Sequence, residues 1–277
     1  MKLKHLVLAV SMAATTSAAF GGDFTTLPSD KLQVGGKTPD FDFLYVEATS
    51  LSFLDPDVFS SISYNAKSTR TKLSDPPSEV TASGVLELID HRVTRDFVVG
   101  GDPIGNLYDF VFRDTRDNKL VFGTRILLAV EEDQVPDWEL NFVYRSGFTG
   151  FDVAAAWLVT DPTMDLRLYN AGRTSSESTT AAFSFDPDTV RMQTDLNSGA
   201  ENNPWSGLFL LKTDATAWDV AEDAIGVRQM GEEGQLPISG YYAGFVPTAP
   251  VPEPSTYAML LGGLGLLGVM ARRRRNA

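Results

Sequence analysis

The chain of 277 residues carries 23 Lys and Arg against 36 Asp and Glu, a formal net charge of −13, with 43% hydrophobic residues, two His and no Cys. The hydrophobic share excludes a disordered chain, and the missing Cys excludes disulfides, thiolate zinc sites, iron–sulfur clusters and a Cys nucleophile. The acidic balance argues against nucleic acid and anionic lipid as partners, because phosphate contacts need clustered Lys and Arg.

The first element is Met1 to Ala19: Lys2 and Lys4, an apolar stretch from Leu6 to Ala14, then Thr15-Thr16-Ser17-Ala18-Ala19. A basic start, a short apolar stretch and small residues at the end have the shape of an export signal. Ser17 and Ala19 are the small side chains a signal peptidase needs three residues and one residue before its cut, so cleavage is expected after Ala19. The apolar stretch is too short to span a bilayer permanently.

Residues 20–250 read as one β-rich domain, since the dominant period is two. Asp40 to Val46 places Phe41, Phe43 and Tyr45 on one face, and Leu107 to Arg113 aligns Tyr108, Phe110 and Phe112. The polar Asp114–Asn118 turn then leads into a strand from Lys119 to Val130, a hairpin in which Gly123 marks an expected bulge. Further strands are expected at Trp138 to Arg145, Asp165 to Tyr169, Ala181 to Phe185, Val190 to Thr194, Leu208 to Lys212 and Gly240 to Val246. Phe151 to Thr160 is apolar but for Asp152 and the closing Thr160 and fits a central strand or a short buried helix. Asp55 to Ser61 reads as a short turn, Arg173 to Thr180 as a mobile hydroxyl-rich loop, and Thr216 to Ile225 as one surface helix. The fold class is therefore mainly β, an antiparallel sandwich or jelly roll.

Chemistry-bearing constellations in this body are sparse. His91 is the one histidine beyond the export signal, flanked by Asp90 and Asp96 as orienters of a triad, but no Gly-x-Ser-x-Gly elbow accompanies it and a solvated strand end accounts for it. Asp55-Pro56-Asp57, Glu131-Glu132-Asp133, Asp186-Pro187-Asp188 and Glu222-Asp223 offer oxygens to calcium, and Asp-Pro-Asp is equally ordinary turn chemistry. No other cofactor and no metal ligand set is indicated. Trp138, Trp157, Trp205, Trp218, Tyr241 and Tyr242 are candidates to stack on sugar rings, with Trp205 the best placed, in the polar Asn202–Gly207 loop. Catalytic residues are not indicated; paired carboxylates for glycoside hydrolysis are non-specific among so many acids.

The last element, residues 251–277, begins with Val251-Pro252-Glu253-Pro254-Ser255-Thr256-Tyr257, extended because each proline disfavours helix in the residue before it. Ala258 to Ala271 follows without a charge, then Arg272, Arg273, Arg274 and Arg275. A transmembrane helix is expected over about residues 256–271; the uncharged run of about 15 residues spans about 22 Å as a helix against a hydrocarbon core of about 30 Å. The arginines hold the C-terminus in the cytoplasm. In order, Pro252-Glu253-Pro254, Ser255-Thr256, the Gly/Leu-rich stretch and the Arg cluster resemble the PEP-CTERM sorting signal of Gram-negative bacteria.

The resemblance covers about the last 27 residues. It implies that the translocon exports the chain and that it crosses the inner membrane as a substrate of exosortase. It also implies delivery to the cell surface or secretion, in association with exopolysaccharide and biofilm. Lys2, Lys4 and the four arginines account for six of the 23 bases and Glu253 for one of the 36 acids, which leaves 17 against 35 and −18 on residues 20–250. Three functions stay open for that body: a non-enzymatic surface or matrix protein, a carbohydrate-binding module, and a secreted polysaccharide hydrolase.

Overall fold

The computed structural model describes residues 24–28, 43–45, 60–67, 80–129, 138–159, 168–174, 185–198, 204–230 and 236–249. Within them the chain is all strand: β1 (Thr25–Thr26), β2 (Phe43–Tyr45), β3 (Ser61–Lys67), β4 (Val80–Val99), β5 (Asp102–Asp114), β6 (Lys119–Leu128), β7 (Glu139–Arg145), β8 (Val153–Val159), β9 (Asn170–Arg173), β10 (Val190–Asn197), β11 (Leu208–Thr213), β12 (Ala217–Gln229) and β13 (Ile238–Thr248). The hairpin read from Leu107 onward is β5–β6, paired without interruption from Gly105↔Leu128 to Asp114↔Lys119. Asn118, with φ 59°, supplies the left-handed residue of its turn.

One sheet runs β1-β8-β11-β6-β5-β4-β3-β2 and its ends meet, because β2 also pairs with β8, in parallel, from Phe43↔Trp157 to Tyr45↔Val159. The sheet is thus closed into a barrel, which removes its free edges. A second sheet runs β13-β12-β7-β10-β9, antiparallel throughout. Alternation along the barrel strands sends side chains both ways. Tyr108, Phe110 and Phe112 of β5 meet Leu86, Leu158 and Leu210 inside the barrel. Leu107 and Val111 of the same strand join Phe122, Phe209, Val143 and Val227 between the barrel wall and the second sheet. The two cores share β5, β6, β8 and β11 as a common wall.

Four expectations change. Thr216 to Ile225 is not a helix but the first part of β12. Its ladder with β13 shifts register between Ala221 and Ile225, where Asp223 takes φ 56°. The extra residues put Ala221 and Ile225 four apart, a helical spacing, although the segment is extended. Gly123 marks no bulge. It leaves room for packing, since a Cβ there would lie 2.9 Å from the Phe112 ring, and the irregularities sit in β4 at Ile89 and around Asp96. Arg173 and Thr174 do not belong to a mobile loop: they are 2% and 0% exposed, because the Arg173 guanidinium donates to the carbonyls of Phe148, Phe151 and Pro187. His91 is no solvated strand end but lies mid-strand in β4, half-buried opposite Phe110.

Phe151 to Thr160 resolves as a strand, β8. Leu168 and Tyr169 precede β9 without being strand themselves. Residues 55–59, 160–167, 175–184, 1–23 and 250–277 lie outside the described residues, and with them the expected export signal, most of the turn expected from Asp55, the strand expected from Ala181 and the expected C-terminal helix. Among the described residues no helix is long and apolar enough to cross a membrane.

Candidate functional site

The interior-facing row of β11 runs Leu208, Leu210, Lys212, and that of β5 ends on Asp114. The two charged residues meet at one end of the barrel, where Lys212 Nζ donates to Asp114 Oδ2 at 2.6 Å and to Asp117 Oδ2 at 3.0 Å. Tyr64 of β3 donates its phenol to Asp114 Oδ2 at 2.6 Å, and the Arg116 amide donates to Asp114 Oδ1 at 3.0 Å. The ammonium also lies 4.4 Å from the centroid of the Phe24 ring, a cation–π contact from the segment that leads into β1. Burial, reinforced by Asp114 and Asp117, pushes the Tyr64 phenol far above its ordinary value, so it stays a donor. A buried lysine would be costly alone; here two carboxylates and a ring face hold it.

Beside this network opens a cleft of about 510 Å³ whose walls include Ser63, Asn65, Ser83, Gly84, Thr115 and Arg116. Gly84 is required by the close packing at its base, since a Cβ would lie 2.5 Å from Tyr64 Oη and 2.7 Å from Arg116 Cδ. Hydroxyls, an amide and a guanidinium stand in its lining beside the apolar surface of Tyr64, Gly84 and Val85. Sequence reasoning passed over Tyr64, Asp114, Arg116 and Lys212; the readable signal was a lysine in the interior row of an apolar strand.

A second buried ion pair joins the sheets. Arg145 of β7 donates from Nη1 to Asp109 Oδ1 at 2.5 Å and to Thr124 at 2.7 Å, and from Nη2 to the Phe245 carbonyl at 2.5 Å. Asp109 Oδ2 accepts from the Phe245 N–H at 2.7 Å. Both main-chain groups of Phe245, late in β13, are therefore held by one salt bridge across the interface.

Trp205 is half-buried at the other end of β11. Its segment is zipped onto β6 through a bridge to Leu127 and the Ser206–Ile126 hydrogen bonds, and the Arg125 guanidinium lies 4.7 Å from its ring centroid. Trp138 and Trp157 are buried in the inter-sheet core, whereas Tyr241 is exposed on β13. Tyr242 donates to the Val98 carbonyl at 2.6 Å, and burial pushes its phenol up to about 12.

Asp90 accepts from the His91 main-chain N–H at 2.8 Å, but the two side chains belong to opposite faces. Their partners Val111 and Phe110 face opposite sides of the barrel wall, and Asp90 Oδ2 accepts from the Trp218 indole at 3.4 Å. Asp96 sits in a bulge, its amide bonded to Asn106. Asp188 spends its carboxylate on the Gly147 amide and the Thr149 hydroxyl, and Asp186 Oδ1 accepts from the Asp188 amide. Glu222 and Asp223 are exposed at the β12 irregularity. Among the described residues no group of three or more His, Asp or Glu is gathered for a metal ion. Asp55 to Asp57, Glu131 to Asp133, Ser17, Ala19, Pro252 to Thr256 and Arg272 to Arg275 lie outside the described residues.

Comparison with known proteins finds a PEP-CTERM protein-sorting motif over residues 250–275. No curated protein and no solved structure matches the chain. The motif implies export, membrane-associated sorting toward the cell surface, and exosortase as the processing partner.

Proposed function

We propose that the chain is a non-catalytic surface or matrix protein. A signal peptide over 1–19 is removed after Ala19, the β-rich domain of 20–250 is exported, and 251–277 is the segment that exosortase reads. Pro252-Glu253-Pro254 is the recognition strip, the stretch over about 256–271 dwells in the inner membrane, and Arg272 to Arg275 block its passage. The sorting motif is the observation that carries this reading, since it sits directly behind the last strand of a folded body. The body's −18 keeps it soluble and repels acidic polymers unless divalent cations bridge them, which supports a place in an exopolysaccharide matrix. The buried charges described above are spent on packing, which favours a scaffold over an enzyme.

Replacing Pro252, Glu253 and Pro254 with alanine tests the reading. The variant is expected to accumulate unprocessed in the inner membrane, followed by fractionation and immunoblotting, with the β-body still folded. Surface delivery at the native level would overturn it. A second reading, sugar binding at the Arg116 cleft, is favoured by the hydroxyl and amide lining.

A further inference from the structure

β13 is an outer strand of its sheet and runs into the sorting motif almost without a linker. Its last residue is Thr248, and only Ala249, Pro250 and Val251 precede Pro252. Fully extended, the path from Thr248 to Pro252 reaches at most about 14 Å. A 231-residue body has a radius of gyration of about 17 Å. An enzyme that reads an extended peptide grips several residues on each side of its contact, commonly by strand addition. With so short a tether, the end of β13 stands inside that reach.

The end of β13 pairs within its sheet with β12 alone. β12 pairs with β7 over Ile225 to Arg228, whereas the pairs from Ala217↔Thr248 to Ala221↔Gly244 lie beyond the register shift, as a two-stranded ribbon. The ribbon packs on the barrel through Trp218, Phe245 and Pro247, whereas its last pair, Ala217↔Thr248, is only half-buried. Pro247 brings no N–H to its pair with Trp218. The ribbon is pinned at Phe245, whose N–H and carbonyl are held by Asp109 and Arg145. Peeling Val246, Pro247 and Thr248 from β12 and stopping at that pin lengthens the accessible strip before Pro252 to about 25 Å.

We infer that the sorting enzyme takes hold of the end of β13 together with the motif, so that the terminal pairs of the β12–β13 ribbon open before the chain is processed. The inference rests on the exosortase reading above. The chain has no cysteine, so Ala217→Cys with Thr248→Cys, which are Cα partners, staples the ribbon end with one disulfide. Purified full-length precursor is presented to membranes carrying the sorting enzyme, oxidised or reduced, and processing is followed by gel shift.

The oxidised form is expected to be processed at least tenfold more slowly than the same protein after reduction, which serves as its folding control. Six Gly/Ser residues inserted between Ala249 and Pro250 are expected to restore the oxidised form to the reduced rate. Equal rates for oxidised and reduced protein, or no rescue by the spacer, would overturn the inference. Indifference of processing to alanines at Pro252, Glu253 and Pro254 would instead remove the sorting reading beneath it.

Discussion

Arg145 is 1% exposed on the inward side of β7, facing a carboxylate that is 3% exposed. Desolvating both charges is expensive, and the pair is tolerable because Thr124 and both main-chain groups of Phe245 complete the hydrogen bonding. Arg145→Ala leaves Asp109 buried without its cation and is expected to cost about 3–5 kcal/mol in urea unfolding. Replacing both at once, Arg145→Met with Asp109→Leu, is expected to recover most of that loss, because no lone charge remains. Tyr242 is a contrasting residue, a neutral donor to Val98 whose ring meets Phe97 edge-on at 5.4 Å. Its phenol ionises at about 12 in the folded chain, against about 10 when unfolded. The stability it contributes is whole below pH 10 and is lost as pH rises through 12, because the unfolded chain gives up its proton first. Urea midpoints measured between pH 10 and 12 are expected to fall with pH, and Tyr242→Phe to flatten part of that slope. Neither residue was legible as special beforehand: an arginine in a strand and a tyrosine beside another tyrosine show their partners only once distant strands meet.

Elements differ in how openly the chain displays them. β5 and β6 were readable because apolar runs of strand length flank a turn rich in Asp and Asn, so local preference and tertiary pairing agree. β4, at 20 residues the longest strand, escaped notice. Asp90, His91, Arg92, Arg95 and Asp96 interrupt its apolar pattern, and its bulges at Ile89 and around Asp96 break the period that alternation relies on. β12 was misread for the same reason, its irregularity at 222–224 setting Ala221 and Ile225 four residues apart. The polar end of the barrel follows this logic too. Lys212 stands where alternation demands a core residue, and its acceptable burial depends on Asp114 and Asp117 from 95 or more positions away. The sorting motif at residues 250–275 was legible because its signature is linear. Prolines, an uncharged stretch and arginines follow in order along the chain, and no folding is needed to bring them together.

At the scale of the molecule, β2 closes the barrel with three residues against β8. Periodicity reports which face a residue occupies and not which strand lies beside it, so closure was hidden while the all-β class was not. Charge is the whole-molecule property that composition does report, and the −18 of residues 20–250 has a consequence that single sites do not. A body of that sign is repelled by an acidic polysaccharide at a range set by the Debye length, about 8 Å at physiological salt. Divalent cations invert this by bridging carboxylates on the two partners. The purified body is therefore expected to pass through a column of immobilised acidic exopolysaccharide in chelator and to be retained in millimolar calcium. It should elute with added monovalent salt, since the bridge is electrostatic. The cleft at Arg116 gives the opposite signature: a glycan retained in chelator as strongly as in calcium and lost with Arg116→Ala. Retention of that second kind would assign polysaccharide recognition to the barrel end, and retention of the first kind would assign it to the charge of the whole surface.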